Sequence, residues 1–262
     1  MIEKGFITKQ YSISPAAGKR LIAKSLLRIP AVLEALEHRT VVVISGTTNG
    51  YVADEMLMKI SQTEGFVKER FVRGITVPPG YEKTNQDLTG NEGRFIGDVV
   101  IINGKWEKGK TIYDVADQLK MGDMIFKGAN AVNLSTMQAA ILIGNPAGGT
   151  ISPILQCVIG KRVELYLPVG LEKRISGNIN EISAMLNSPD TSGLRYMPVN
   201  GNIITELEAI KIICGAGAEL VACGGVCGAE STYWIAVTGS AEQLGIMDEL
   251  YKSIRKEPNY FL

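Results

Sequence analysis

The fold of this chain is decided by the stretch Val41-Val42-Val43-Ile44-Ser45-Gly46-Thr47-Thr48-Asn49-Gly50-Tyr51. Four β-branched apolar residues run into a short polar loop, and a helix-like pattern follows from Val52 to Ile60. A continuous apolar run of this kind is typical of a strand buried on both faces, as in a parallel sheet. The polar loop would then lie at the carboxyl end of the strand, where open α/β sheets bind ligands. The N–H groups at the start of the next helix would attract an anion.

The composition is that of a globular protein without a polyanionic partner. The chain has 262 residues, of which 45% are hydrophobic and 21% are charged, so it can form one large or two modest domains with a proper core. Its 27 basic residues are balanced by 27 acidic ones, whereas a protein that binds nucleic acid or an anionic membrane needs a basic excess. We therefore expect no nucleic acid and no membrane as partners, although a local basic patch stays open.

The sequence predicts a soluble, cytoplasmic protein. No stretch approaches the roughly 18 uninterrupted apolar residues of a transmembrane helix, and no long apolar core follows Met1–Gly5, so we expect no signal peptide. Four cysteines in a chain of this length do not suggest a disulfide framework. We interpret Cys223 and Cys227 as small buried thiols rather than as a metal or redox pair.

The single histidine, His38, ends a helical pattern. A positive side chain near a helix C-terminus is stabilising, and that structural role is favoured over catalysis. Without a second histidine, a serine–histidine triad or a histidine-rich metal site has almost no support. We expect no metal and no cofactor.

Polar loops follow four predicted strands. The loop Ser45–Asn49 follows the first strand, and Lys127–Asn130 follows Asp123–Phe126; Gly144–Thr150 follows Ala139–Ile143, and Glu172–Arg174 follows Val163–Val169. Because the carboxyl ends of parallel strands meet at one edge of a sheet, we expect these loops to converge there. The predicted fold is α/β, with an open, mostly parallel Rossmann-like sheet and flanking helices.

Other local patterns predict the elements around this sheet. Ser14-Pro15 predicts a helix start, and Thr111 with Asp114 predicts another. Residues 70–77 alternate loosely and predict a strand, and residues 80–94 predict a long loop. Phe95–Ile102 followed by Asn103-Gly104 predicts a hairpin.

A turn-rich segment, Asn187–Gly193, predicts a domain boundary. The elements after it follow the order β-α-β-β-α, which is the ferredoxin-like pattern. Its strands are predicted at Leu194–Val199, Glu219–Val226 and Thr232–Thr238, and its helices begin with capping boxes at Thr205 and Ser240. We therefore predict an α/β domain over residues 1–190 and a small ferredoxin-like α+β domain over residues 191–262.

Each loop also has a purely structural interpretation. The residues Gly46–Asn49 could simply cap a helix, but four small polar residues exceed what a cap requires. Asn130 and Asn133 could be turn residues, because asparagine tolerates positive φ, and the same alternative holds for Gly128 and for the loop Gly148–Thr150. Lys127 extends a buried strand, where a lysine is uncommon unless it is paired or faces a pocket.

Three motifs resemble those of one superfamily. Ser45-Gly46-Thr47-Thr48 is similar to its first-strand phosphate loop, Lys127-Gly128-Ala129-Asn130 to its Gly-Ala-Asp loop, and Gly148-Gly149 to a later glycine-rich turn beside the ligand. The superfamily comprises ribose-5-phosphate isomerase, glucosamine-6-phosphate deaminase, the CoA transferases and the DeoR-type sugar-phosphate sensors, parts of which also have a lysine at the place of Lys173. The resemblance covers roughly residues 15–175 and implies an α/β fold with an anionic ligand. Asn130 departs from the carboxylate of the isomerases, and an amide cannot act as their base.

The leading hypothesis is an isomerase or transferase that acts on a small phosphorylated or carboxylated metabolite. Its predicted catalytic residues are Glu172, Asp54 and Lys127. Its predicted ligand-binding residues are Ser45, Gly46, Thr47, Thr48, Asn49, Gly128, Asn130, Gly148, Gly149, Thr150, Lys173 and Arg174. Glu172–Arg174 could instead be a solvated turn.

Two alternatives to an enzyme remain open at this stage. The chain could be a non-catalytic metabolite-binding or sensor protein, since Asn130 replaces a carboxylate. It could also be a structural subunit whose C-terminal domain forms a homo-oligomer through Thr232–Thr238 or the neighbouring strands.

Overall fold

A computed structural model of the chain describes residues 5–73, 76 and 97–259. Its α-helices are α1 (Pro15–Leu26), α2 (Pro30–His38), α3 (Thr47–Lys59), α4 (Ile112–Val115), α5 (Ile151–Leu155), α6 (Ile179–Leu186), α7 (Glu206–Cys214) and α8 (Ala241–Ile254). Its strands are β1 (Ile7–Ile13), β2 (Thr40–Val43), β3 (Val99–Ile102), β4 (Lys105–Trp106), β5 (Met124–Phe126), β6 (Ala131–Asn133), β7 (Gln138–Ile143), β8 (Glu164–Pro168), β9 (Arg195–Val199), β10 (Asn202–Ile204), β11 (Gly217–Cys223) and β12 (Tyr233–Gly239).

In the part of the chain that the structure describes, the central sheet has six strands in the order β10-β8-β5-β2-β3-β4. The first four of these are parallel to one another, and the β3–β4 hairpin adds two antiparallel strands. The expectation of an α/β fold with a mostly parallel sheet is thus confirmed. At the turn of the hairpin, Asn103 and Gly104 have φ values of 48° and 77°, as a type I′ turn requires.

Strand β2 is apolar throughout because both faces of the sheet are covered. Val41 and Val43 pack into the core that contains α1 and α3, whereas Val42 and Ile44 pack into the core that contains α4 and α5. Side chains alternate between the two faces of a strand, so a strand with two buried faces needs an unbroken apolar run.

The local helix-start predictions are confirmed by side-chain caps. The Ser14 hydroxyl accepts a hydrogen bond from the Ala17 N–H, and Thr111 forms a capping box with Asp114. Capping boxes also begin α7 at Thr205 and α8 at Ser240.

The predicted strand Ala139–Ile143 exists as β7, but it does not belong to the parallel sheet. It pairs antiparallel with β6 and with β9 in a separate three-stranded sheet. Of the four strands expected in one parallel sheet, only β2, β5 and β8 are there. A second strand prediction fails in part, because Phe71–Arg73 and Thr76 are not in a strand; the rest of that segment and the loop over residues 80–94 lie outside the described residues.

The predicted ferredoxin-like domain is not confirmed in the form expected. Its first strand, β9, pairs with β7, and β10 pairs with β8 of the central sheet. The later strands β11 and β12 form a sheet with β1 from the N-terminal end of the chain. The division after residue 190 stays a prediction, although strands from both sides of it pair in all three sheets.

Among the helices of the described residues, none combines the length and the apolar character that a membrane crossing needs. Strand β12, considered for oligomerisation, lies between β1 and β11, so its own backbone edges are already paired.

Candidate functional site

A polar cavity of about 200 Å³ opens at the carboxyl ends of β2 and β5. Its lining comes from four places in the chain: the β2–α3 loop with the first turn of α3, the segment that contains Arg73 and Thr76, the loop after β5, and the turn after β8. The lining residues are Ser45, Gly46, Thr47, Thr48, Asn49, Arg73, Thr76, Lys127, Gly128, Ala129, Asn130 and Lys173. We call this cavity the anion pocket, because its groups, described below, are those that bind anions.

Asn49 holds the floor of the anion pocket together. Its side-chain nitrogen donates hydrogen bonds to the carbonyl oxygens of Ile44, at 2.7 Å, and Phe126, at 2.9 Å. The Ile44 N–H also donates to the Phe126 oxygen, at 2.9 Å. The ends of β2 and β5 are therefore fixed to each other and to the first turn of α3.

The first turn of α3 points unpaired N–H groups at the pocket. The first helical hydrogen bond runs from the Gly50 N–H to the Gly46 oxygen, at 2.8 Å, and Gly46 supplies no side-chain cap. Among the described residues, the N–H groups of Thr47, Thr48 and Asn49 have no hydrogen-bond acceptor. Together with the helix dipole, such groups form a binding site for negative charge.

Three buried polar atoms that line the anion pocket have no partner in the described part of the chain: Ser45 Oγ, Thr48 Oγ1 and Asn49 Oδ1. These side chains are 7%, 2% and 1% exposed, respectively. A buried polar group without a hydrogen bond costs about 1–3 kcal/mol, so a ligand that hydrogen-bonds to them would recover that cost. The two hydroxyls can donate to an anion, while the Asn49 oxygen can only accept a hydrogen bond.

Three cationic side chains surround the same space: Arg73, Lys127 and Lys173. Lys127 directly follows β5, and burial lowers its pKa to about 8, with Asp98 opposing the shift and Arg73 and Lys173 adding to it. The Lys173 ammonium donates to the Ala129 oxygen at 2.9 Å, and burial lowers its pKa as well. Because the two lysines are charged only at the cost of desolvation and mutual repulsion, an anion between them would be stabilising.

Asp98 and Arg73 are important residues of the site that sequence reasoning missed. The Asp98 carboxylate accepts hydrogen bonds from the Ser45 N–H at 3.0 Å and the Ile112 N–H at 2.9 Å, and it lies 3.5 Å from the Arg73 guanidinium. Burial raises the pKa of Asp98, although Arg73 and the two N–H groups oppose the rise. The available signal was an acidic residue inside the predicted strand Phe95–Ile102, since an unpaired acid is rarely buried.

A second cavity, of about 180 Å³, continues from the anion pocket toward the β7–α5 loop. It shares Ser45, Arg73, Lys127 and Asn130 with the anion pocket and adds residues of the loop after β7, among them Gly148, Gly149 and Thr150. We call it the side arm. Gly148 and Gly149 have φ values of 82° and 64°, a conformation that favours glycine.

The structure thus brings together residues from all four predicted loops, although β7 approaches from a different sheet. From the fourth loop, only Lys173 of the three predicted residues lines a cavity. Asn130 has a structural role there: its side-chain oxygen accepts from the Leu142 N–H at 3.0 Å, which ties the loop to β7. The Asn133 side chain lies in neither cavity and accepts from Ser135 and Thr136 instead.

The other predicted site residues do not line these cavities. Asp54 is ion-paired with Arg20 at 2.8 Å, between α1 and α3. Glu172 is ion-paired with Lys19 at 2.9 Å. Arg174 is exposed, and its guanidinium donates to the Leu171 oxygen at 2.9 Å.

A buried acidic cluster positions the turn that carries Lys173. It consists of Glu206, its hydrogen-bond partner Tyr233 and the nearby Glu172. Glu206, wholly buried, accepts hydrogen bonds from the Tyr233 hydroxyl at 2.5 Å and the Leu171 N–H at 2.9 Å. Burial, together with the nearby Glu172, raises the pKa of Glu206 to about 7. This cluster fixes the turn from outside the anion pocket, so it acts on the site through Lys173.

The described residues contain no group of three or more His, Cys, Asp or Glu side chains that could hold a metal ion. The interpretation of Cys223 and Cys227 as buried thiols is wrong: both are exposed, at the end of β11 and in the loop after it. No match was found between this chain and any protein-family model, curated protein or solved structure, so its function has to be argued from the site itself.

Proposed function

We propose that the anion pocket binds a small phosphorylated or carboxylated metabolite, and that the chain converts it by a reaction of isomerase or transferase type. The observation that carries the proposal is the union of unpaired N–H groups at the start of α3 with the buried, unpartnered hydroxyls of Ser45 and Thr48. All of these groups can donate hydrogen bonds to the oxygens of one anion.

The charges and the size of the site support this ligand class. Arg73, Lys127 and Lys173 surround the pocket, and charge-assisted hydrogen bonds to phosphate or carboxylate are about twice as strong as neutral ones. The anion pocket and its side arm enclose about 200 and 180 Å³, so each alone is below the roughly 300–1,000 Å³ of sites for drug-sized ligands, and the two together reach only the lower end of that range. A metabolite of a few carbons with one anionic group suits these dimensions.

Calorimetric titration with sulfate and with inorganic phosphate tests the binding. We expect the double variant Thr47→Val/Lys127→Met to lose at least about tenfold in affinity for both anions, because a positive charge and a hydroxyl donor are lost from the lining of the pocket. The matched control is Lys256→Met, which removes an exposed lysine after α8 and should bind as the parent chain does. Unchanged affinity in the double variant would place the anion elsewhere and reject this pocket.

The second candidate function is a non-catalytic sensor of the same ligand class. It is favoured by the positions of the predicted acids: Asp54 and Glu172 are ion-paired outside the pocket, and Asn130 has no acidic group. Turnover assays with sugar phosphates and acyl-CoA thioesters separate the two candidates. Conversion of any of these compounds that is lost in Thr47→Val/Lys127→Met would reject the sensor.

Several expectations from the sequence belong to the same proposal. They are the relationship to the ribose-5-phosphate isomerase and CoA-transferase superfamily, the ferredoxin-like character of the C-terminal part, a cytoplasmic location and a homo-oligomer. Light scattering on the full chain tests the homo-oligomer, and a molar mass of one chain at micromolar concentration would reject it.

A further inference from the structure

Lys127 lies where the anion pocket and its side arm meet. It lines both cavities, together with Ser45, Arg73 and Asn130. A ligand whose anionic group is bound at the first turn of α3 would have to pass Lys127 to place the rest of its carbon chain in the side arm. In such a ligand, the carbon atoms closest to the anionic group would lie next to the Lys127 amine.

Within residues 5–73, 76 and 97–259, the Lys127 amine differs from the other largely buried lysines by having no hydrogen-bond or ion-pair partner. Lys19 and Lys68 form ion pairs with Glu172 and Glu257, and Lys173 donates to the Ala129 oxygen. In the part of the chain that the structure describes, the Lys127 ammonium makes neither a hydrogen bond nor an ion pair within 4.0 Å. Since burial and two neighbouring cations lower its pKa to about 8, a larger fraction of this amine is neutral at physiological pH than of an ordinary lysine.

We propose that Lys127 is a nucleophile that forms an imine with an aldehyde or ketone, and that this carbonyl compound carries its phosphate or carboxylate at the first turn of α3. The inference rests on the proposed function, because the anion pocket has to hold the acidic end of the ligand. It goes further by naming the reactive group of the ligand and the residue that it reacts with.

The covalent step is balanced by the release of one water molecule. The lone pair of the neutral Lys127 nitrogen forms a bond to the carbonyl carbon, and one of the two nitrogen protons passes to the carbonyl oxygen to give a carbinolamine. The hydroxyl group of the carbinolamine takes up a proton from solvent and leaves as water, while the nitrogen keeps its second proton, which gives a protonated carbon–nitrogen double bond. A protonated imine withdraws electrons from the adjacent carbon, so it would assist proton removal there, a step that isomerisation requires.

Reductive trapping tests the imine directly on the full chain. The probes are glycolaldehyde phosphate and glyoxylate, each incubated with the protein and sodium cyanoborohydride and then analysed by intact-mass and peptide mass spectrometry. We expect at least one probe to add its own mass less that of one oxygen atom at Lys127, about tenfold or more faster than at the exposed Lys256. Excess sulfate, which competes for the anion pocket, should slow the reaction at Lys127 but not at Lys256.

Lys127→Arg is the matched variant, because arginine keeps the positive charge but cannot form the imine. We expect this variant to bind sulfate and to give no trapped adduct in the pocket. The alcohols 2-hydroxyethyl phosphate and glycolate, which keep the anion but lack the carbonyl, should give no adduct with the parent chain.

The outcomes separate the imine from the proposed function. Sulfate binding in the pocket without preferential labelling of Lys127 by either probe would overturn the imine and leave the anion pocket standing. The absence of both sulfate binding and labelling would overturn both. Labelling of Lys173 at the same rate as Lys127 would also overturn the assignment, because the junction between the two cavities would then have no special role.

Discussion

The side-chain nitrogen of Asn49 donates a hydrogen bond of 2.9 Å to the main-chain oxygen of Phe126. Through this bond and its second bond, to Ile44, the first turn of α3 is tied to the ends of two neighbouring parallel strands. Phe126 is the last residue of β5, so the bond fixes the point at which Lys127 leaves the sheet. A residue in the first turn of α3 thus fixes the main chain directly before Lys127.

Asn49→Ala should therefore lower the free energy of unfolding by about 2–4 kcal/mol, because two buried hydrogen bonds are lost. The Ile44 oxygen is then left without a donor among the described residues, whereas the Phe126 oxygen keeps the Ile44 N–H. Urea unfolding followed by circular dichroism measures this loss. Asn180→Ala is the control: Asn180 is an exposed residue in α6, and its replacement should change the free energy by no more than about 0.5 kcal/mol. Equal small effects in the two variants would contradict the structural role of Asn49.

Strands β2, β5 and β8 of the central sheet could be predicted because their signal is local, whereas no strand is predicted from the sequence at β10. The run Val41–Ile44 is apolar at every position, and only a strand with two covered faces needs that pattern. The caps at Ser14, Thr111, Thr205 and Ser240 are local too, since each involves residues at most three positions apart.

The errors concern pairs of residues that are far apart in the chain. An apolar run such as Ala139–Ile143 does not indicate whether its partner is parallel or antiparallel, and its partner β9 lies more than 50 residues further along the chain. Strand β1 pairs with β12 across more than 200 residues, which no local pattern indicates. Asp54 is a further example: the sequence predicts it as a site residue, and no local pattern indicates that its partner, Arg20, lies in a different helix.

Gly18 allows α1 to approach the buried acidic cluster closely. A Cβ atom at this position would overlap the Tyr233 hydroxyl and the Glu206 carboxylate. We expect Gly18→Ala to lower the free energy of unfolding by at least about 1–3 kcal/mol, because overpacking would displace a buried hydrogen bond. Thermal and urea unfolding measure the change.

Gly245→Ala is the matched control for Gly18→Ala. Gly245 also lies within a helix, α8, but a Cβ atom there would meet nothing within 4 Å. Since alanine is favoured over glycine inside a helix by up to about 1 kcal/mol, this variant should be more stable than the parent chain. A change of the same sign in both variants would argue against the close approach at Gly18.

Glu206 should make the stability of the fold fall as the pH rises from about 5 to about 7. Its pKa is raised from 4.5 to about 7 by burial and by the nearby Glu172, so between these values the folded chain binds a proton that the unfolded chain has lost. Its contribution to stability is thus complete below the unfolded pKa and is lost as the pH passes through the folded pKa. Urea unfolding at pH 5, 6, 7 and 8 should show a loss of at least about 1 kcal/mol from this group.

The variant Glu206→Gln isolates this contribution. It cannot ionise, so the difference in stability between variant and parent should shift in favour of the variant as the pH rises from 5 to 8. The control is Glu242→Gln, which replaces an exposed glutamate in the first turn of α8. Its free energy of unfolding should change with pH as that of the parent chain does. If the free energy of unfolding of Glu206→Gln also changes with pH as that of the parent chain does, Glu206 does not change its protonation in this range.

Lys127 should make anion binding depend on pH in the range above neutrality. Its pKa is lowered to about 8, so the positive charge that attracts an anion is present below this value and is lost as the pH rises through it. Sulfate remains a dianion throughout, and its affinity measured by calorimetry should fall by about three- to tenfold between pH 7 and pH 9.

In Lys127→Arg the affinity should fall less, because the guanidinium stays charged. A smaller fall remains there, since the pKa of Lys173 is lowered too. The control Lys256→Arg should have the same sulfate affinity as the parent chain at every pH. If the sulfate affinity of Lys127→Arg falls with pH as steeply as that of the parent chain, the Lys127 ammonium does not contact the anion.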